Sequence, residues 1–428
     1  MQAPALAEHR RSLQERSGQE ADLLTAGIFP GVGPSVRHLD WRESRLQPPP
    51  TLNETENAGP RLQPGDLSMR NVRSGILPLS LSLVASGFVL GMATPAFAVD
   101  GQCTPGTTKR IAFMMKQQTA YRYLHADMPF FKKTAEAAGY EVIVQSAEND
   151  AQVQVSQAEN VITQGVDAIV INPVDFNVAA QIAEMANAAR IPIASYNDLI
   201  TGADQNAYIG RDAREGGQIA AKAILAKVPK GNYALIGGDP GQTGATDMQA
   251  GYHDVLDPSV AKGDITIVMD QLAPGWKTEP AQAFAENALT QTENKVDAFL
   301  VSYDGESIGV MQAVEGAGLP AGSIPITGQD MELAAAQAIV EGRMDGSVWP
   351  APDEMGVEAA KVAVALAQCK PVEAKDTINN GVRDMPWVKT PIYYVDRAGM
   401  ADFVCSHDYW LDIDEVYKNV PDKKPTCK

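Results

Sequence analysis

VDAFLVSYDGESIGVMQAVEGAGLPAGSIPITGQD, residues Val296 to Asp330, is the stretch whose reading decides the fold. Val296 to Ser302 is an apolar run of strand length, and Ile308 to Ala317 carries apolar residues at helical spacing before the stop signals Gly318 and Pro320. Ile324 to Thr327 is a second apolar run. Strand, helix and strand in such a short length make a parallel βαβ unit with a right-handed crossover. Polar clusters end the two strands: Tyr303, Asp304, Gly305 and Glu306 after the first, Gln329 and Asp330 after the second. Open α/β sheets bind ligands at the carboxyl ends of their strands, so both clusters are expected at one crevice. Either cluster alone reads equally well as a helix cap and turn. Recurrence along the chain separates the readings.

The pattern recurs. Arg110 to Met115 reads as a strand, followed by the polar loop Lys116 to Thr119, the segment Tyr121 to Tyr123 and a helix over Met128 to Ala138. Strands at Glu141 to Gln145, Ala168 to Ile171 and Ile191 to Ser195 alternate with helices at Ala151 to Gln164 and Val178 to Ala189. Around Ile209 to Asp212 the count restarts. A helix at Glu215 to Ala226 leads to strands at Tyr233 to Ile236 and Ile265 to Met269, and a helix near Pro280 to Thr290 leads into the opening stretch. Beyond Asp330 come a helix at Leu333 to Glu341, a strand at Gly346 to Trp349 and a helix at Met355 to Ala367. Ile392 to Val395 and Phe403 to Val404 read as short extended runs. Two such halves predict two Rossmann-like α/β lobes with parallel sheets.

Composition narrows the function. The 428 residues suffice for two domains. Against 53 acidic residues stand 35 Lys and Arg, a net charge of −18, which argues against nucleic acid or an anionic membrane as principal partner. Residues 1–68 lack long apolar runs and read as a disordered leader or an over-translated segment. Met69 to Ala98 reads as a secretory signal peptide: Arg70 and Arg73 form its basic region, Leu79 to Leu90 its apolar core and Ala96-Phe97-Ala98 its cleavage site. The apolar run falls short of a membrane span. The expected mature protein starts at Val99, outside the cytoplasm, where Cys103, Cys369, Cys405 and Cys427 can form two disulfides in any of three pairings. Asp100-Gly101-Gln102 lacks the small apolar residues of a lipid-anchoring signal, so soluble export is expected.

Catalytic and cofactor motifs are thin. In Gly237 to Gly244 the last Gly is followed by Ala245, not by the Lys and Ser/Thr of a phosphate-binding loop. His125, His253 and His407 have no metal-ligand spacing, the cysteines match no zinc pattern, and no G-x-S-x-G elbow occurs. No metal, cofactor or catalytic residue is expected, and a secreted sugar-modifying enzyme is the alternative from another class. A cleft for polyols suits the loops better, since charged groups fix hydroxyls and rings cover apolar sugar faces. The candidate ligand-binding residues are Gln117, Arg122 and Tyr123; Asn197 and Asp198; Asp239; Trp276; Tyr303 and Asp304; Asp330; and Trp349.

Five segments carry a family resemblance: VQSAEND (Val144 to Asp150), GNYALIGGDP (Gly231 to Pro240), DQLAPGW (Asp270 to Trp276), NALTQTENKVDAFLVSYD (Asn287 to Asp304) and ITGQD (Ile326 to Asp330). With the element order, the chain from Val99 onward resembles the periplasmic sugar-binding proteins of ABC transporters, in the ribose-binding-like class and nearest its xylose-binding branch. The resemblance implies a type I periplasmic binding protein: a monomer of two lobes joined by three crossovers that closes on a sugar or sugar-like solute. It also implies a membrane permease as partner and leaves a chemoreceptor open as a second one. The lobes would comprise residues 99–210 with 350–380, and 211–349 with 381–428. The crossings would lie near Ile209 to Asp212, Gly346 to Ala351 and Thr377 to Gly381. Arg122 and Tyr123 match an Arg-aromatic pair of the family, Trp276 a stacking Trp and Asp330 a hydroxyl-binding Asp. The likeness lapses where Asn197-Asp198 stands for Asp-Arg, Tyr303 for Asn and Trp349 for Lys. With an Arg lost and two donors replaced by rings, a pocket more apolar than a xylose binder's is expected, and a non-sugar polar or aromatic solute is the runner-up.

Overall fold

Hydrophobic alternation along single strands builds both halves of the molecule. The computed structural model describes residues 105–427 and a two-residue strand, Ala96–Phe97, that pairs antiparallel with Val372–Glu373. The expected leader and the rest of the signal segment lie outside the described residues, which all belong to one unit, Gly87–Lys428.

In the first lobe, β1 (Arg110–Met115) sends Ile111, Phe113 and Met115 to one face and Ala112 and Met114 to the other. Helices α1 (Met128–Ala137) and α9 (Pro352–Ala367) cover the first face, α2 (Ala151–Thr163) and α3 (Phe176–Ala188) the second. With β2 (Glu141–Ser146), β3 (Ala168–Ile171), β4 (Ile193–Tyr196) and β5 (Ala207–Arg211), the parallel order is β2-β1-β3-β4-β5. Asp150 and Asp175 cap α2 and α3 by accepting from two backbone N–H groups each, so these strand-end acids are structural.

The second lobe repeats the plan. Its strands are β6 (Gly231–Gly237), β7 (Ile265–Leu272), β8 (Ala298–Val301), β9 (Thr327–Gln329), β10 (Gly346–Trp349) and β14 (Tyr393–Asp396). The pairs β7-β6-β8 and β9-β10 are parallel, a Phe299–Ile326 bridge links them, and β14 closes the edge antiparallel to β10. Tyr233 and Leu235 of β6 face one core and Ala234 and Ile236 the other. The opening stretch is thus a βαβ unit, with α7 (Asp304–Gly316) as its crossover. Its second strand is Thr327–Gln329, later than the apolar run Ile324 to Thr327.

The chain passes between the sheets three times: from Arg211 into α4 (Ala213–Lys227), from Trp349 into α9, and from Thr390 to Tyr393. The last differs from the expected crossing near Thr377 to Gly381. β13 (Asp384–Thr390) pairs parallel with β5, and β12 (Asp376–Asn379) pairs with β13, so residues 381–390 extend the first sheet. The second-lobe tail starts at β14. There Phe403 and Val404 lie in a helix, α10 (Met400–Ser406), and not in an extended run, because both are needed on one apolar face of the core. A disulfide joins Cys405 to Cys427, and Cys369 is disulfide-bonded as well.

Helices α4 and α5 (Thr243–Ala261) meet at two glycines. A Cβ on Gly217 would stand 2.1 Å from the Met248 carbonyl oxygen, and one on Gly251 2.1 Å from that of Arg214. This contact matters to the site because α4 starts just after Arg211 and α5 just after Gln242. Gly→Ala in a free helix stabilises by about 1 kcal/mol. Gly217→Ala is instead expected to lower the unfolding free energy by about 1–3 kcal/mol, the usual cost of overpacking, in urea titrations. A gain in stability would refute the contact.

Candidate functional site

Each lobe delivers side chains to the cleft from the carboxyl ends of its strands. Lys116 and Gln117 follow β1, Asn197 follows β4, and Arg211 ends β5. From the other side Trp276 follows β7, Tyr303 follows β8, and Gln329 ends β9 with Asp330 next. With Ala120, and with Arg122 and Tyr123 from the π-helical turn that leads into α1, these residues line one narrow cavity of about 30 Å³.

Ion pairs hold the lining in place. Arg122 is 2 % exposed; its Nε and Nη2 donate to the Asp127 carboxylate at 3.1 and 2.8 Å, and its Nη1 reaches Asp330 of the second lobe at 3.3 Å. Burial works against the guanidinium charge, but Asp127 and Asp330 together hold its pKa well above the ordinary value. The Lys116 ammonium donates to Asp198 at 3.1 Å and to Gln242 of the second lobe. Burial would lower Lys116 and raise Asp198, yet their mutual attraction wins: Lys116 is raised, and Asp198, also facing Arg211, is lowered.

Aromatic groups form the second-lobe wall. Trp276 and Tyr303 stand perpendicular, with ring centroids 6.3 Å apart, and the Trp276 indole donates to Gln242 Oε1 at 2.7 Å. A Cβ on Gly238 would collide with the indole at 2.1 Å, so the ring rests directly on backbone. The Tyr303 hydroxyl donates to Glu332 at 2.8 Å, and burial followed by Glu332 raises its pKa. Asn197, Trp276 and Asp330 all hold positive φ, 64°, 56° and 94°, a strain that concentrates at ligand sites.

Of the residues singled out by sequence, Gln117, Arg122, Tyr123, Asn197, Trp276, Tyr303 and Asp330 meet at the cavity. Four do not line it. Asp198 sits behind Lys116 and also accepts from the Gly244 N–H at 2.9 Å. Asp239 accepts from Gly241 and Gly275 N–H groups, tying the glycine loop to the turn that carries Trp276. Asp304 is buried at the start of α7, where it accepts from the Ser347 hydroxyl at 2.8 Å and the Glu332 N–H at 2.7 Å. Trp349 is fully buried against Trp410, Phe403 and His407, with centroids 4.8, 5.2 and 5.5 Å away, because α10 and the following turn cover that face of β10.

The candidate ligand-binding residues left out Lys116, Ala120, Arg211 and Gln329, although Gln329 was expected at the crevice with its strand-end cluster. Lys116 and Gln329 lie in strand-end clusters, so spacing could have found them. Arg211 could not be found so. It reaches over from the strand beside β4, and its Nη1 donates to the Asn197 carbonyl and side-chain oxygens at 3.1 and 2.7 Å. A guanidinium is thereby supplied beside Asn197 from the neighbouring strand.

Comparison with known proteins agrees with this architecture. The model of the periplasmic binding protein domain matches residues 111–371. The D-xylose-binding periplasmic protein of Haemophilus influenzae is 38 % identical over 278 residues, which span 65 % of this chain and 83 % of that protein. The multiple sugar-binding periplasmic receptor of Rhizobium radiobacter is 30 % identical over 353 residues, 78 % of this chain and 97 % of the receptor. Among solved structures, an ABC transporter solute-binding protein of Clostridium phytofermentans with bound β-D-glucose is similar at a TM-score of 0.66 and 25 % identity, covering 72 % of this chain and 99 % of that one.

The Lys116–Asp198 pair sets a pH signature. Asp198, lowered on folding, contributes stability above the unfolded carboxyl value of about 3.9, lost as pH falls through its lower folded value. Lys116, raised on folding, contributes stability below about 10.4, lost as pH rises through its folded value. Asp198→Asn is expected to cost about 3–5 kcal/mol at pH 7, by leaving buried cations unpartnered, and to flatten both limbs of the stability profile measured by denaturant titration. Wild-type slopes in the variant would show that the pair does not titrate with folding.

Proposed function

The chain belongs to the periplasmic binding protein family, and from that premise we propose that it captures one neutral sugar or sugar-like polyol between its lobes and delivers it to the permease of an ABC transporter. One observation carries the choice of a neutral, hydroxylated solute. Lys116, Arg122 and Arg211 meet Asp127, Asp198 and Asp330 in and behind the lining, so each lining cation has its counter-charge within the protein while donors and acceptors remain. The Trp276–Tyr303 corner offers ring surface for the apolar face of a sugar.

The mechanism is binding without turnover. Residues of both lobes meet the solute, so the closed form gains contacts that the open form lacks, and binding shifts the population toward closure. Hydroxyls compete for Arg122, Asp330, Lys116 and Asn197, with charge-assisted bonds of about 1.5–3 kcal/mol each. Rotation at the three crossings changes the surface presented to the permease; a chemoreceptor reading the same closed form is compatible with this. The protein acts as a periplasmic monomer, released by cleavage after Ala98, and N-terminal sequencing of the exported protein is expected to begin at Val99.

A thermal-shift screen over pentoses, hexoses and inositols tests the reading. At least one sugar is expected to raise the melting temperature of the wild type and to be recovered chemically unchanged; product formation would refute binding without turnover. Asp330→Ala and Trp276→Ala are each expected to weaken that sugar at least tenfold, about 1.4 kcal/mol, in calorimetric titration. Wild-type affinity in both would remove these residues from the site.

A further inference from the structure

Most polar side chains of the residues around the cavity are engaged within the protein, but two buried atoms are not. Among the described residues, Arg211 Nε and Gln329 Oε1 are the buried atoms of cavity-lining residues that have no hydrogen-bond partner. Both residues are almost wholly buried, at 2 % and 3 % exposure, which rules out bulk water as the missing partner. Leaving such a group unpaired costs about 1–3 kcal/mol, so native structures keep few of them. Other unpartnered buried groups, such as Asn172 and Glu306, do not line the cavity.

The two atoms are complementary and come from opposite lobes. Arg211 closes β5 at the first crossing, fixed through Nη1 to Asn197, and its Nε–H can only donate. Gln329 closes β9 of the second lobe, and its Oε1 can only accept. We infer that Arg211 and Gln329 are specificity-determining residues: Arg211 Nε donates to one oxygen of the solute, and Gln329 Oε1 accepts from one of its hydroxyls. This deepens the reading given above and rests on it. The solute class narrows to neutral polyols that present an accepting oxygen to the first lobe and a free hydroxyl to the second. Neither atom finds a partner within the protein although Arg122–Asp330 and Lys116–Gln242 already bridge the lobes, so the solute completes bonds that the bridging groups do not. That difference couples occupancy to closure. A site built to bond a hydroxyl also rejects analogues that lack it far more strongly than an apolar pocket could.

The test uses the exported, processed protein with D-xylose, D-glucose and myo-inositol as probes, in calorimetric titration and thermal unfolding. Gln329→Met keeps the side-chain length and removes the acceptor; Arg211→Lys keeps the charge facing Asp198 and removes Nε. Each is expected to weaken the tightest probe at least tenfold. The ligand-free melting temperature of Gln329→Met is expected to hold or rise, because an unpaired buried acceptor has been removed; a purely structural role would lower it. One mono-deoxy derivative of that probe is expected to bind wild type at least tenfold more weakly than its parent, with the difference lost in Gln329→Met. If the probe binds both variants with wild-type affinity, or if Gln329→Met keeps the full deoxy discrimination, the inference falls and the solute-binding reading stands. If none of the three probes binds wild type, both are overturned.

Discussion

Arg122 holds carboxylates from both lobes at once, and the arrangement of the cleft follows from that. A guanidinium this deeply buried must be matched by negative charge, and neither lobe does it alone: Asp127 takes two of its nitrogens within the first lobe, and Asp330 approaches the third from the second. Lys116 repeats the arrangement with Asp198 on its own side and Gln242 opposite. The lobes thus meet through groups that a solute would otherwise engage. On the proposed function, an incoming polyol exchanges partners with them, which links affinity to the geometry of the two lobes.

The surrounding backbone is shaped to hold these groups where they are. Asn197, Trp276 and Asp330 sit in left-handed conformations at three separate strand ends, each fixed by a contact elsewhere. The Asp330 N–H bonds the Val348 carbonyl of the neighbouring strand, Trp276 lies on Gly238, and Asn197 is gripped by Arg211. Asp239 and Asp304 belong to this support. A Cβ on Gly328 would meet the Asp304 carboxylate at 2.1 Å, which shows how tightly the acid fills the space beneath the β9 strand end.

Local signals in the sequence were enough for most of the fold, because parallel strands buried on both faces are continuous apolar runs bounded by Asp caps and glycines. Arg110–Met115, Ala168–Ile171, Leu333–Glu341 and Gly346–Trp349 can be read to the residue from that pattern. The site was legible only where strand ends carry their own polar cluster. Arg211 escaped because its position depends on β4 and β5 being neighbours, which no spacing along the chain encodes. Trp349 misled for the complementary reason: a strand-end ring looks like a ligand platform until the tail covers it with Phe403 and Trp410, 54 and 61 residues further on. The third crossing moved because β13 returns to pair with β5, which lies far back in the chain.

The matching of charges in the cleft reaches beyond recognition. Pairing Lys116, Arg122 and Arg211 with the protein's own acids leaves no cation of the lining without a counter-charge, which suits the neutral solute proposed above. The voltage across a membrane does about 2.3 kcal/mol of work per elementary charge per 100 mV and none on such a molecule. On the proposed reading, concentrating it inside the cell draws nothing from the membrane potential acting on the cargo itself, and the driving force falls to the transporter that opens the lobes.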